Sequence, residues 1–334
     1  MSEQTPAHSG PPSPVRFVQV GEAHVGQRLD NFLFRELKGV PKSHVYRLLR
    51  TGQVRVNGKR ARADARLADG DQLRIPPLRQ AHAEEQPRAS ERSLRTLADA
   101  IVFEDARYIA IDKPAGLAAH GGSGISLGAI EQLRQLRPGA TLELVHRLDR
   151  DTSGVLLFAR KRSALLSAQA ALREGRVRKR YLALLTGPLS QLDVRVDAPL
   201  RKSLLRGGER LVAVAEDGKA ARSRFRLVER FAACTYAEVI IDTGRTHQIR
   251  VHAAHIGAPV AGDEKYGDET ANRALRDQVG LRRMFLHAAE MAFDLGEGGS
   301  YCFAAPLPPE LSSVLNRLSL PSSPRKRGSS DFGI

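Results

Sequence analysis

The run His146-Arg147-Leu148-Asp149-Arg150-Asp151-Thr152-Ser153-Gly154 leads directly into Val155-Leu156-Leu157-Phe158-Ala159. The apolar half reads as a buried strand. Polar residues packed at a strand entrance need a reason. Asp149 stands between Arg147 and Arg150. Nearby cations favour the charged form of a carboxylate, and a charged carboxylate can be a nucleophile or a base. On local grounds a loop aspartate that caps backbone N–H groups is an equal reading of Asp149. For Asp151, followed by Thr, Ser and Gly, capping is the preferred reading.

Other apolar runs extend the pattern outward. Ile101-Val-Phe and Tyr108-Ile-Ala-Ile flank Glu104-Asp-Ala-Arg and read as strands. So do Tyr181-Leu-Ala-Leu-Leu, Phe225-Arg-Leu-Val and Tyr236-Ala-Glu-Val-Ile-Ile. Helices are expected around Ser163–Arg173 and His247–His255. Strands outnumber helices and are often consecutive, which predicts an α+β fold around a mixed, largely antiparallel sheet. This larger domain is expected over 98–319.

A smaller domain is expected over 16–76. Leu29, Phe32, Leu33 and Leu37 fall at helical spacing, as do Val45, Leu48 and Leu49, with Pro41 before the second stripe and Gly52 after it. Val54-Arg-Val56 then enters Asn57-Gly58, a tight-turn signal. Leu73 and Ile75 suggest a closing strand after Asp69-Gly70. Lys42, Arg47, Arg50, Arg55, Lys59 and Arg60 cluster on the second helix and the hairpin, where long cations can track phosphates without reading bases. The stretch 77–97 is polar, carries Pro87, Glu84 and Glu85, and reads as a linker. Residues 1–15 read as a disordered arm and 320–334 as a disordered basic tail.

The 334 residues carry a formal net charge of +15 and a sequence pI of about 10.4. Such a surface attracts polyanions: RNA, DNA or an anionic membrane. Cys234 and Cys302 are the only cysteines and are far apart. A disulfide framework and a thiolate zinc site are not expected, and a reducing, cytoplasmic setting is. No apolar run reaches the roughly 18 residues of a membrane span.

Two further runs carry chemistry. Thr243-Gly244-Arg245-Thr246-His247-Gln248-Ile249-Arg250-Val251-His252 follows a strand and opens a helix. Gly244 permits a tight turn from which Arg245 projects, and a fixed guanidinium can hold a carboxylate by paired hydrogen bonds. His247, His252 and His255 lack the His-x-x-x-His spacing of a helical metal site. Lys179-Arg180-Tyr181 heads a strand, and Tyr181 can stack on a base and offer a hydroxyl.

The segment carrying Arg28-Leu-Asp-Asn-Phe-Leu, Lys42-Ser43, Tyr46-Arg47-Leu48-Leu49-Arg50 and Gly52-Gln-Val-Arg-Val-Asn-Gly58 resembles the S4 (α-L) RNA-binding domain. The runs His146–Gly154, Lys113-Pro114-Ala115-Gly116, Thr243–His252, Gly257-Ala-Pro-Val-Ala-Gly-Asp-Glu-Lys-Tyr-Gly267 and Leu286-His287-Ala288 together resemble the RluA-type family of pseudouridine synthases. The S4 segment, His120-Gly-Gly-Ser-Gly124 and the stretch from Leu144 to Ser163 place the resemblance among the family's enzymes of large-subunit (23S) ribosomal RNA. The resemblance implies a pseudouridine synthase catalytic domain and the isomerisation of uridine within RNA. It implies Asp149 as the catalytic aspartate, Arg245 as the arginine paired with it, and Tyr181 as the tyrosine that meets the uracil. Ile249 and Leu286 would pack near that base, and Arg147 would fill the gap left by a flipped nucleotide. Atoms are conserved in this isomerisation, so no cofactor or metal is expected, and a monomer is. Whether Asp149 attacks C1′, adds to C6 or takes the C2′ proton stays open.

The alternatives are a synthase acting on tRNA or other rRNA sites, a non-catalytic ribosomal protein using the S4 domain alone, and a glycosidase. The last would need a second carboxylate, for which Asp151 and Asp263 are the candidates.

Overall fold

Two apolar stripes at helical spacing and a hairpin build the N-terminal unit. The computed structural model describes residues 14–37, 40–78, 87–122, 127–204 and 210–320. Residues 1–13 of the expected arm, 79–86 of the expected linker, 321–334 of the expected tail, and Ser123-Gly124 lie outside the described residues. The chain divides into two compact units after Arg88.

In the first unit, α1 (Leu29–Glu36) buries Leu29, Phe32 and Leu33, and α2 (Lys42–Arg50) buries Val45, Leu48 and Leu49. They pack on an antiparallel sheet of β1 (Arg16–Gln19), β2 (Arg55–Val56), β3 (Lys59–Arg60) and β4 (Gln72–Ile75), in the order β1-β4-β2-β3. Full burial of each Leu, Val or Phe is worth about 1.5–3 kcal/mol. The β2–β3 turn places both Asn57 (φ 50°) and Gly58 (φ 75°) in the left-handed region. Those dihedrals match the twist of a two-residue hairpin, and few residue pairs other than Asn-Gly adopt them cheaply. Asp30 is buried and accepts two hydrogen bonds from Arg28, at 3.1 and 2.7 Å.

The second unit begins earlier than the sequence suggests. Helix α3 (Glu91–Asp99) occupies the last part of the expected linker, with Leu97 buried. Ser90 caps it by accepting from Ser93 N at 3.2 Å. Its docking is largely polar: Ser93 Oγ donates to Gln132 and Ala89 N to Gln135. Its apolar stripe is short, Leu94, Leu97 and Ala98, and stands among charged residues, so it is easily passed over in a polar stretch. Gln132 and Gln135 belong to α4 (Ala129–Leu136).

The main sheet contains β5 (Ile101–Glu104), β6 (Tyr108–Lys113), β7 (Glu143–Leu144), β8 (Ser153–Ala159), β9 (Val177–Thr186), β10 (Asp193–Asp197), β13 (Arg222–Arg230), β14 (Cys234–Ile241), β15 (Leu286–Asp294) and β16 (Ser300–Ala304). A separate antiparallel pair, β11 (Leu200–Leu204) and β12 (Arg210–Val214), intervenes in the chain. The strand order is β10-β13-β14-β9-β15-β8-β6-β5, with β16 on β15 and β7 on β8. Every pairing is antiparallel except β8–β15, which is parallel. The fold is thus α+β with a mixed, largely antiparallel sheet.

Strand β8 is buried along its whole length. Its period of two sorts side chains between two cores. Val155, Leu157 and Ala159 face α5 (Arg162–Arg173), packing with Ala164, Leu165 and Ala168. Leu156 and Phe158 join the opposite core, which also holds Leu148, Tyr181, Ile249 and Leu286. That second face carries the site. Helices α6 (Gln248–His255), α7 (Glu269–Val279) and α8 (Pro309–Ser319) complete the unit. Among the described residues no helix is long and apolar enough to cross a membrane.

Candidate active site

The parallel register His287↔Ser153 and Ala288↔Gly154 brings the entrance of β8 against the start of β15. Gly154 sits at φ 107°, and a Cβ there would collide with the Ala288 carbonyl. Glycine is what lets the two backbones meet. Asp149 lies just upstream, in a turn closed by Thr152 N donating to the Asp149 carbonyl at 3.2 Å. Lys113 secures this turn from behind. Its buried ammonium donates to the carbonyls of Pro114, Leu117 and Arg150 at 2.9, 2.7 and 3.0 Å. Burial pushes this amine down to about 7, against the pull of Asp151 and Asp149.

One cavity is lined by Asp149, Arg147, Tyr181, Arg245, Ile249 and Leu286, together with Gly244, His247 and Arg250. Residues separated by more than 130 positions thus converge. Tyr181 enters from β9, in register with Val239 of β14 on one side and Ala288 of β15 on the other. Burial, with Asp149 nearby, raises the Tyr181 hydroxyl above its ordinary value, so the resting site holds a neutral phenol. Ile249 and Leu286 are buried and give the cavity an apolar wall, while Arg147 and Arg245 are exposed at its rim.

The arginine that faces Asp149 is Arg250, which corrects the expected pairing with Arg245. Arg250 Nη1 lies 3.3 Å from Asp149 Oδ2. Arg245 turns away instead, its Nε donating to the Ala220 carbonyl at 3.0 Å. Arg245 precedes the helix in an exposed loop, whereas Arg250 sits in the first turns of α6 with only 9% of its side chain exposed. A buried guanidinium needs counter-charge. Most of it comes from Asp263, whose fully buried carboxylate accepts from Nε at 2.6 Å and from Nη2 at 2.8 Å. Asp263 also accepts from the backbone N–H groups of Lys265 and Tyr266. Hydrogen bonds from Arg250 hold the Asp263 carboxyl below its usual range despite burial. A carboxylate so committed cannot serve as the second acid or base of a glycosidase. Asp151 is half-exposed and pairs with Arg150 Nε at 3.2 Å instead of capping the turn.

The histidines have other partners. His252 is buried between Ser223 Oγ and the Ala198 carbonyl, each at 2.9 Å. His247 Nε2 stands 3.9 Å from Asp149 Oδ2. Buried Gln248 rivets the loop to β13: it accepts from Thr243 Oγ1 and Arg245 N, and donates to the Arg222 carbonyl and Ser223 Oγ.

In the first unit, Arg47, Arg50, Arg55, Lys59 and Arg60 are exposed on α2 and the β2–β3 hairpin. Arg55 Nη1 donates to the Gly58 carbonyl and Arg60 Nη2 to the Thr51 carbonyl. Lys42 opens α2.

Comparison with known proteins bears on these arrangements. The family model of RNA pseudouridylate synthases matches residues 107–255, and that of the S4 domain matches residues 27–73. The chain is 48% identical over 308 residues to the ribosomal large subunit pseudouridine synthase C of Escherichia coli strain K12, covering 91% of this chain and 97% of that one. It is 50% identical over 282 residues to the protein of the same name from Salmonella typhimurium, covering 84% and 88%. Among solved structures, human RNA pseudouridylate synthase domain containing 1 superimposes with a TM-score of 0.55 at 26% identity, covering 64% of this chain and 86% of that one. The chain therefore belongs to the RluA-type family of RNA pseudouridine synthases and carries an S4 domain ahead of its catalytic domain.

Proposed function

We propose that this enzyme converts specific uridines of 23S ribosomal RNA to pseudouridine, with Asp149 as the reacting carboxylate on a flipped-out nucleotide. The observation that carries the reading is the convergence of Asp149, Tyr181 and an apolar wall in one cavity rimmed by exposed arginines. Its large-subunit target rests on relatives of that name, matched over nearly their whole length.

The reaction breaks the N1–C1′ bond and rejoins the base through C5. Asp149 reaches sugar or base only after the nucleotide leaves its stack, at a cost of roughly a few kcal/mol. Attraction of phosphates to the basic surface offsets that cost, and Arg147 at the rim takes the vacated position. The base then meets Ile249 and Leu286 on one side and the Tyr181 ring on another. A late step removes the C5 proton. As a neutral phenol, Tyr181 serves best in a relay: it accepts that proton while passing its own to the Asp149 carboxylate. The nucleotide loses the C5 hydrogen as a proton and gains a proton at N1, so its composition and oxidation level are unchanged and the scheme calls on no redox cofactor. All the residues named belong to one chain, so a monomer suffices.

The test is Asp149→Asn assayed on 23S rRNA and on tRNA, both carrying tritium at uridine C5. Wild-type enzyme is expected to release tritium from the rRNA, and the variant to release none while still binding it. Release by the variant at the wild-type rate refutes the role of Asp149. Release by the wild-type enzyme from tRNA alone refutes the substrate.

A further inference from the structure

Tyr266 lies in the turn between α6 and α7, outside both sheets. Its hydroxyl oxygen accepts from Val212 N of β12 at 3.0 Å and lies 2.8 Å from His247 Nδ1. A phenol owns one proton. The amide is a donor only, so of these two partners Nδ1 alone can take the hydroxyl proton, which it does when His247 is the Nε2–H tautomer. Nδ1 is then an acceptor, and the proton of the neutral imidazole sits on Nε2. That nitrogen faces Asp149 Oδ2 at 3.9 Å. Arg250 Nη1 addresses the same oxygen at 3.3 Å, and the Arg250 guanidinium lies over the Tyr266 ring, 5.0 Å from its centre. His247 holds a left-handed backbone (φ 55°) to keep its place, a conformation uncommon outside glycine.

We infer that Tyr266 is a positioning residue: its hydroxyl locks His247 as the Nε2–H tautomer and its ring braces Arg250. Both donors then address Oδ2 of Asp149, and Oδ1 is left to meet the nucleotide. This rests on Asp149 being the reacting carboxylate. Tyr266 is not among the residues that line the cavity. It acts through two side chains whose directions it fixes, as outer partners orient the groups that do chemistry.

The test is ¹⁵N NMR of the full-length, histidine-labelled enzyme at pH 8, where burial keeps His247 neutral despite the pull of Asp149 and Asp263 and with the help of Arg250 and Lys265. Its nitrogens are distinguished by two-bond proton correlations. A protonated Nε2 and a bare Nδ1 are expected, and the opposite tautomer overturns the inference without any variant. Tyr266→Phe keeps the ring and removes the hydroxyl. It is expected to mix the tautomers and lower kcat roughly tenfold, with KM for rRNA unchanged. A variant with wild-type kcat also overturns the inference. Turnover by Asp149→Asn is the separate result that would sink the underlying reading, whichever tautomer His247 holds.

Discussion

Replacing Asp263 by asparagine removes one charge from the buried centre of the site and almost no volume. In the native enzyme Asp263 takes two hydrogen bonds from Arg250, at 2.6 and 2.8 Å, with 0% of its side chain exposed against 9% for Arg250. Removing one partner of such a pair costs about 3–5 kcal/mol, since the other charge stays buried. Two features reduce the loss. Asparagine keeps a carbonyl oxygen for the N–H groups of Lys265 and Tyr266, and Asp149 at 3.3 Å still offers Arg250 a counter-charge. The expected destabilisation is about 2–4 kcal/mol. The chain has no tryptophan, so urea unfolding is best followed by far-UV circular dichroism, reading the transition of the larger unit. The substitution is expected to cost much less in an Arg250→Met background, where no guanidinium remains to be stranded. A loss below about 1 kcal/mol in the wild-type background, or equal losses in the two, refutes the assignment of Asp263 as the principal counter-charge.

Other perturbations separate the remaining roles. Arg250→Met strands Asp263 and should abolish activity with a stability loss of about 3–5 kcal/mol. Arg245→Met should leave stability within about 0.5 kcal/mol and weaken only turnover on RNA; the reverse ranking in urea unfolding would restore Arg245 as the partner of Asp149. Gly154→Ala combines a left-handed backbone with a collision at the Ala288 carbonyl, so a loss of about 2–5 kcal/mol is expected, and an unchanged melting temperature would contradict the close β8–β15 approach. Burial lowers Lys113 to about 7, while an unfolded lysine titrates near 10.4. Between those values the unfolded chain holds a proton that the folded chain has released, so this group's contribution to stability rises with pH, by at most about 1.4 kcal/mol per unit. Lys113→Met should flatten that rise between pH 7 and 9.5, and parallel urea midpoints for the two proteins across that range would exclude it.

How far the sequence could be read depended on what each residue owes to its neighbours in the chain. The stripes of α1 and α2, the Asn57-Gly58 turn and the strands β6, β8, β9, β13 and β14 are local patterns and were legible. Strand β15 was not, except as the short motif Leu286-His287-Ala288. It is buried on most positions, so it lacks the period of two. Its Leu, Ala, Glu and Met also favour helices when taken alone. Helix α3 was hidden because its apolar stripe is short and stands among charged residues. In the site, Asp149, Tyr181, Ile249 and Leu286 could be named in advance, and the structure gathers them around one cavity. The exchange of Arg245 for Arg250 has a simple origin. Both lie within one run, and although the helix was expected from about His247, sequence does not say which of its faces turns toward Asp149, and so did not single out Arg250 over Arg245. The roles of Asp263 and Tyr266 are relational, since each acts on a side chain brought near by the fold.

The placement of β15 sets the order in which the enzyme becomes competent as it is synthesised. In the sheet it lies between β8 and β9. The strands on the β8 side carry Asp149, and those on the β9 side carry Tyr181 and lead to Arg250. All of them leave the ribosome before β15 does. Until Leu286 to Asp294 have emerged, a nascent chain owns two half-sheets and no strand to join them. Contacts such as Ser153 to His287 span 134 residues, and closures that long are slow to form. The cavity that gathers Asp149, Tyr181 and Leu286 therefore cannot form until β15 has emerged.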